Sequence, residues 1–167
     1  VTGVQTCALP IYYGEEPWDT KMDNGMTVGE YAKATMLDEI ERAVILCNKA
    51  DEYDVPALTD DEEKQCASKA EDYMASIGED IATQFSVEQS AVLAIYEKDA
   101  LSMKVYNQIL ENLSETLRQE DDYKDMEDSE FEQVLNDKFE EQYAQWKDTC
   151  KVETTETWEQ LVIGAVG

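Results

Sequence analysis

Thirty-nine carboxylates and four cysteines are the side chains in this sequence that could do chemistry, and no histidine stands among them. Without histidine, Ser-His-Asp and Cys-His nucleophilic sites have no general base, and almost every catalytic zinc geometry loses a ligand. A di-metal carboxylate bundle would need Glu-x-x-His on two helices, and that pattern does not occur. Carboxylate pairs are abundant, but 39 acids in 167 residues produce them by chance. One spacing approaches a calcium loop, with Asp19 first, Asp23 fifth and Glu30 twelfth. Lys21 then falls on the third ligand position and Gly25 comes one residue late, so the stretch reads as a helix-entry loop. Cys47, Cys66 and Cys150 match no zinc or CxxC spacing. Cys47 lies on an apolar stripe and reads as a small core residue, while a single bridge among the three is left open. Seven glycines build neither a GxGxxG turn nor a P-loop. The residue types thus point to no metal, no cofactor and no catalytic site.

Charge narrows the partners. Acids outnumber bases 39 to 13, a net charge of −26, and that field repels nucleic acid and anionic lipid. The acidity reads as a solvated surface, including the run at residues 120–128, which is a connector rather than a metal site. No run of about 18 apolar residues is present to span a membrane. A hydrophobic content of 43% is nevertheless enough for a core, and the length suits one domain.

The elements that would carry any site are helices. Thr27-Val-Gly-Glu30 is a capping box, followed by Val28, Tyr31, Ala32, Met36, Ile40, Ala43, Val44, Cys47 and Ala50 at three- and four-residue steps. This predicts one apolar stripe on a helix over 27–53, stopped by Pro56. A second box, Thr59-Asp-Asp-Glu62, starts the next helix, with Cys66, Ala70, Tyr73, Met74 and Ile77 inward and Gly78 as its end. Residues 79–85 read as a loop. Ser86-Val-Glu-Gln89 reads as a third box, opening a helix to about Gln119 through Ala91, Ile95, Leu101, Val105, Ile109 and Leu113, with Ser102 and Asn107 facing water. Phe131, Val134, Leu135, Phe139, Tyr143 and Trp146 put a fourth, aromatic stripe on a helix over 129–148. Residues 150–155 form a short strand or extended arm, and Thr154 or Thr155 caps a last turn carrying Trp158 and Leu161. The fold class is all-α, a bundle of about four helices, two of them long, with a short C-terminal arm. Residues 1–11 lack charge and periodicity and resemble the translation of a sequencing adapter, so they are set aside as an artefact. The helical domain then covers 12–161, with a frayed tail at 162–167. On this reading a signal peptide, lipid-attachment cysteine or first helix lies upstream of Tyr12.

The order of these pieces resembles the N-terminal chaperone domain of the SurA/PrsA-type foldases, which often carry a parvulin peptidyl-prolyl isomerase domain. The stretch from Tyr13 to Asp19 (YGEEPWD) and Asp23-Asn-Gly25 leading through Thr27 to Tyr31 match its entry. Tyr53-Asp-Val-Pro-Ala-Leu-Thr59-Asp-Asp-Glu62 is similar to that family's Tyr-Gly-Val-x-Leu-Thr-x-x-Glu corner. The stretch from Ala100 to Tyr106 resembles the helix before the parvulin insertion, and Phe139 to Trp146 with Lys151, Val152, Glu153 and Trp158 the helix and arm after it. The two dozen residues between Tyr106 and Phe131 are too few to fold as a domain of their own, and they contain no histidine. The resemblance therefore implies an extracytoplasmic holdase-like domain that binds unfolded or secreted polypeptides without isomerase activity, possessing a lipid anchor only through a longer parent. It also implies that 129–148 packs on 27–53. The alternative is a helical adaptor docking one partner. Client binding needs exposed apolar groups that adapt to varied sequences, for which Tyr73, Met74, Met103, Tyr106, Phe131 and Tyr143 are the candidates. Core packing is the competing use of each.

Overall fold

Two helices open on reciprocal caps. At α1 (Val28–Cys47), the Glu30 N–H donates to Thr27 Oγ1 at 3.1 Å while the Thr27 N–H donates to Glu30 Oε2 at 2.8 Å. At α2 (Asp60–Gln84) Thr59 and Glu62 do the same, and Asp60 to Glu63 place negative charge at the positive helix end. Then come α3 (Gln89–Leu117), α4 (Asp128–Thr149) and the short α5 (Glu156–Gln160), where Thr155 Oγ1 accepts the Trp158 N–H. The computed structural model describes residues 18–163, so the adapter-like segment, the first residues of the family-like entry motif and most of the tail lie outside it. Among the described residues there are five helices and no strand, only an antiparallel bridge between Lys21 and Thr27. The chain is all-α, and the arm after Cys150 is extended rather than paired.

Three boundaries differ from the expectation, each for a backbone reason. First, α1 ends at Cys47 rather than near Tyr53, and residues 48–54 continue as turns. They close in a Schellman motif: the Asp54 N–H donates to Asp51 O and the Val55 N–H to Ala50 O at 2.9 Å, with Asp54 left-handed at φ 53°. Second, Gly78 breaks α2 without ending it. Its φ of 76° and ψ of 163° leave helical geometry, which glycine permits at little steric cost, and residues 79–84 wind up again. Third, Ser86 is not a cap. It sits at φ 52° in a second Schellman closure, with the Val87 N–H donating to Ala82 O at 2.8 Å. The end of α2 uses the serine that the capping-box pattern assigned to α3, and Glu88 becomes the N-cap without a side-chain bond.

The left-handed Asp54 carries a testable cost, because an L-residue with a Cβ is disfavoured there and glycine is not. Asp54→Gly is expected to raise stability by about 0.5–1 kcal/mol, net of glycine's greater freedom in the unfolded chain. Urea midpoints of the two proteins would measure it; a lower midpoint for the variant would refute it.

The described residues divide into two compact units, one made of 18–40 with 153–163, the other of 41–152. In the first, the entry loop returns on the start of α1 through Gly29 N–H to Trp18 O at 2.9 Å and Val28 N–H to Thr20 O at 3.0 Å. Lys33 fastens the C-terminal arm, donating from Nζ to the carbonyls of Glu159 and Leu161 and lying 5.7 Å from the Trp158 ring centroid.

In the second unit α3 is the axis. Ile45, Leu46, Val55, Val105, Ile109, Phe139 and Tyr143 form its buried cluster. Residues 41–53 pack on α4, as the resemblance implies: Arg42 pairs with Glu140 at 2.7 Å, Lys147 with Glu41 at 3.1 Å, and Tyr53 meets Trp146 edge to face at 6.1 Å. The predicted α1 stripe is only partly used. Of its members Ala32 is buried, whereas Tyr31, Met36, Ile40 and Val44 are exposed, and the buried residues near the end of α1 are Ile45 and Leu46, which the stripe did not include. The stripe read from spacing is one face, and the described chain covers its flank rather than its crest.

Lys104 ties α3 to the start of α2, donating to Glu62 Oε2 at 2.9 Å and to Ala57 O at 3.3 Å. That bond, with the Thr59 cap, holds the Glu62 carboxyl down at about 2, below its ordinary 4.5. A depressed carboxylate contributes stability above its unfolded value and loses it as the folded group protonates. The contribution is therefore complete above pH 4.5 and lost as pH falls toward 2. Glu62→Gln should flatten that part of the stability–pH curve, as followed by urea unfolding at successive pH values; parallel wild-type and variant curves would refute the linkage.

Candidate client-binding surface

The α2–α3 hairpin sets where exposed apolar side chains lie. The Cys66 thiol donates to Tyr96 O at 3.5 Å, which places the first half of α2 beside the first half of α3. Ala70 on α2 and Val92 on α3 are buried toward the closed end. The Cys47 thiol approaches the same part of α3, donating to Lys98 O at 3.3 Å. Burial pushes both thiols above their ordinary pKa, so they act as small packing groups rather than nucleophiles. Cys47, Cys66 and Cys150 are all free.

The six candidates separate by burial. Tyr73 and Met103 are exposed, and Met74 is half-buried beside Tyr73 on α2. Tyr106 is half-buried, set edge to face at 4.7 Å against Phe139, its hydroxyl donating to Asn136 Oδ1. Phe131 and Tyr143 are core residues, 4% and 8% exposed. Tyr143 stacks on Phe139 at 6.3 Å under the Arg42 guanidinium, and Phe131 lies 3.7 Å beneath that of Arg118. Packing claims these two, and they present nothing to a partner in this conformation.

Spacing also mislaid residues on α3. Ile95, expected inside, is 68% exposed, while Val92 takes the inner position. Ser102, expected in water, is buried, and its hydroxyl is satisfied by donating to Asp99 O at 2.8 Å. Ile81 and Phe85 were not candidates, because 79–85 reads as a loop, yet both are exposed on the rewound end of α2. The available signal was Gly78. Ile77 and Ile81 continue the inner stripe of α2 at a four-residue step, and a left-handed glycine between them breaks its phase.

Among the described residues no three His, Cys, Asp or Glu side chains converge to hold a metal ion. No described helix is long and apolar enough to cross a membrane. Compared with protein-family models, curated proteins and solved structures, the chain matches none.

Proposed function

We propose that this chain is a holdase-like domain of the SurA/PrsA kind, binding unfolded or secreted polypeptides outside the cytoplasm without isomerase catalysis. The observation that carries the proposal is the set of large apolar side chains left in water on a helical frame that fills its own core. Tyr73, Ile81, Phe85, Ile95 and Met103 are exposed while Val105, Ile109 and Phe139 are fully buried. Exposed apolar groups of this kind, flanked by charge, suit transient capture of apolar client segments. The corner at Tyr53 supports the family reading independently. The family pattern has Gly where this chain has Asp54, and Asp54 occupies the left-handed conformation that glycine favours.

The test is suppression of aggregation of a chemically unfolded client by the full chain. Suppression at equimolar amounts or below, across several unrelated clients, is expected. No suppression at any ratio would sink the reading and favour an adaptor with a single partner. A clear acceleration of prolyl isomerisation in a model peptide would overturn the non-catalytic part.

A further inference from the structure

We propose that the closed end of the α2–α3 hairpin is a docking site for a cationic amphipathic polypeptide segment. The inference rests on the polypeptide-binding reading and gives it a place and a client class. Two observations meet in this region. The first is apolar exposure: Tyr73, Ile81, Phe85 and Ile95 stand out of the fold, Phe85 with 56% of its surface in water. They belong to the part of the hairpin between Cys66 and Tyr96, whose contact sets the register of the two helices. Gly78 reorients the chain ahead of Ile81 and Phe85, taking them off the buried stripe that ends with Ala70, and the left-handed Ser86 then turns it toward α3.

The second observation is charge. No Lys or Arg lies between Lys69 and Lys98, a stretch that carries Glu71, Asp72, Glu79, Asp80, Glu88 and Glu97. All 13 cations of the chain lie outside residues 70–97. Several of them are engaged in the fold, as in the pairs of Arg42 with Glu140, Lys104 with Glu62 and Arg118 with Asp128, while Lys69 and Lys98 stand at the edges of the stretch. The hairpin end therefore joins exposed apolar side chains to a stretch whose own charged residues are all acidic. A second copy of a chain of net charge −26 would meet that negative charge with its own, and an anionic lipid surface would be repelled in the same way. A segment with apolar residues on one side and Lys or Arg on the other covers Ile81, Phe85 and Ile95 while placing cations against the carboxylates. Its association is steered by charge and weakened by salt.

The experiment is fluorescence anisotropy with a labelled amphipathic Lys–Leu peptide and its Glu–Leu counterpart, run on the full chain. Binding of the Lys–Leu peptide, weakened by added salt and absent for the Glu–Leu peptide, is the expected result. The double variant Ile81→Ser with Phe85→Ser should weaken it about tenfold or more, and Glu79→Gln with Asp80→Asn and Glu88→Gln should do the same at low salt. All these positions are exposed, so circular dichroism should show both variants folded. Met36→Ser with Ile40→Ser, which removes exposed apolar groups on α1, should leave binding unchanged. Equal binding of both peptides, no binding of Lys–Leu, or wild-type affinity in the hairpin variants would overturn the site. Aggregation suppression measured on the same samples separates the two proposals. If it persists without Lys–Leu binding, only the docking site falls; if both fail, the holdase reading falls with it.

Discussion

Phe139→Ala is expected to cost about 3–5 kcal/mol, the usual range for deleting a buried aromatic ring. Phe139 is 1% exposed and is the largest of the fully buried side chains. Its ring meets Tyr106 edge to face at 4.7 Å, stacks on Tyr143 at 6.3 Å and lies 5.0 Å from the Arg42 guanidinium. Truncation therefore does more than open a cavity. Tyr106 loses the surface that keeps it half-buried, and Arg42 keeps its pair with Glu140 and its place over Tyr143 but loses one of its two aromatic contacts. Since Ile45, Leu46, Val105 and Ile109 share the cluster, the loss falls where 41–53, α3 and α4 meet. Phe139→Leu, which retains most of the volume, should cost well under half as much. Urea unfolding of the three proteins decides the matter through their midpoints. A loss below about 1 kcal/mol for Phe139→Ala would mean that the interior is loose rather than closely packed.

How much of this was legible follows from which forces act locally. The caps at Thr27, Thr59 and Thr155 are short-range exchanges between a side chain and a backbone N–H three residues on; the first two appear where the sequence placed them, and the third falls on one of the two threonines it offered. The all-α class and the four main helices follow from the three- and four-residue spacing of apolar side chains, since α3 and α4 start without a side-chain cap. Positions governed by a left-handed backbone were not legible, because Asp54 and Ser86 are residues for which sequence suggests something else. In the Ser86 pattern a helix start and a helix end competed for one residue, and nothing within four residues says which prevails. Burial was legible only as a stripe. Spacing shows that Tyr31, Met36 and Ile40 share a face with Ala32, but not how far a neighbour extends over it. The candidate surface fared the same way: Tyr73 and Met103 are exposed, but Phe131 and Tyr143 are consumed by tertiary packing that no local window contains. Ile81 and Phe85 came into view only once the phase break at Gly78 was known, and Ile95 only once Val92 was seen to take the inner position on α3.

Arg118→Ala is the second large effect, expected at about 2–3 kcal/mol from charge-assisted hydrogen bonds lost to partly buried carbonyls. The turn between α3 and α4 holds Glu120, Asp121, Asp122, Asp125 and Glu127 within a few residues, and such a run repels itself. Lys124 offsets part of it through its pair with Asp121 at 2.7 Å. Arg118 does the remainder from the end of α3. Nη1 donates to Tyr123 O at 3.2 Å and Met126 O at 2.8 Å, Nη2 donates to Asp128 Oδ1 at 2.8 Å, and the plane covers the Phe131 ring at 3.7 Å. One planar group thus fixes the turn, starts α4 and closes the core over a buried phenyl. Lysine brings the charge but neither the fork nor the flat face, so Arg118→Lys should recover less than half of the loss. Hydrogen exchange across residues 120–131 should speed up in both variants while the α2–α3 hairpin keeps its protection. If lysine restored full stability, charge alone would be holding the turn, and the bidentate geometry would be incidental.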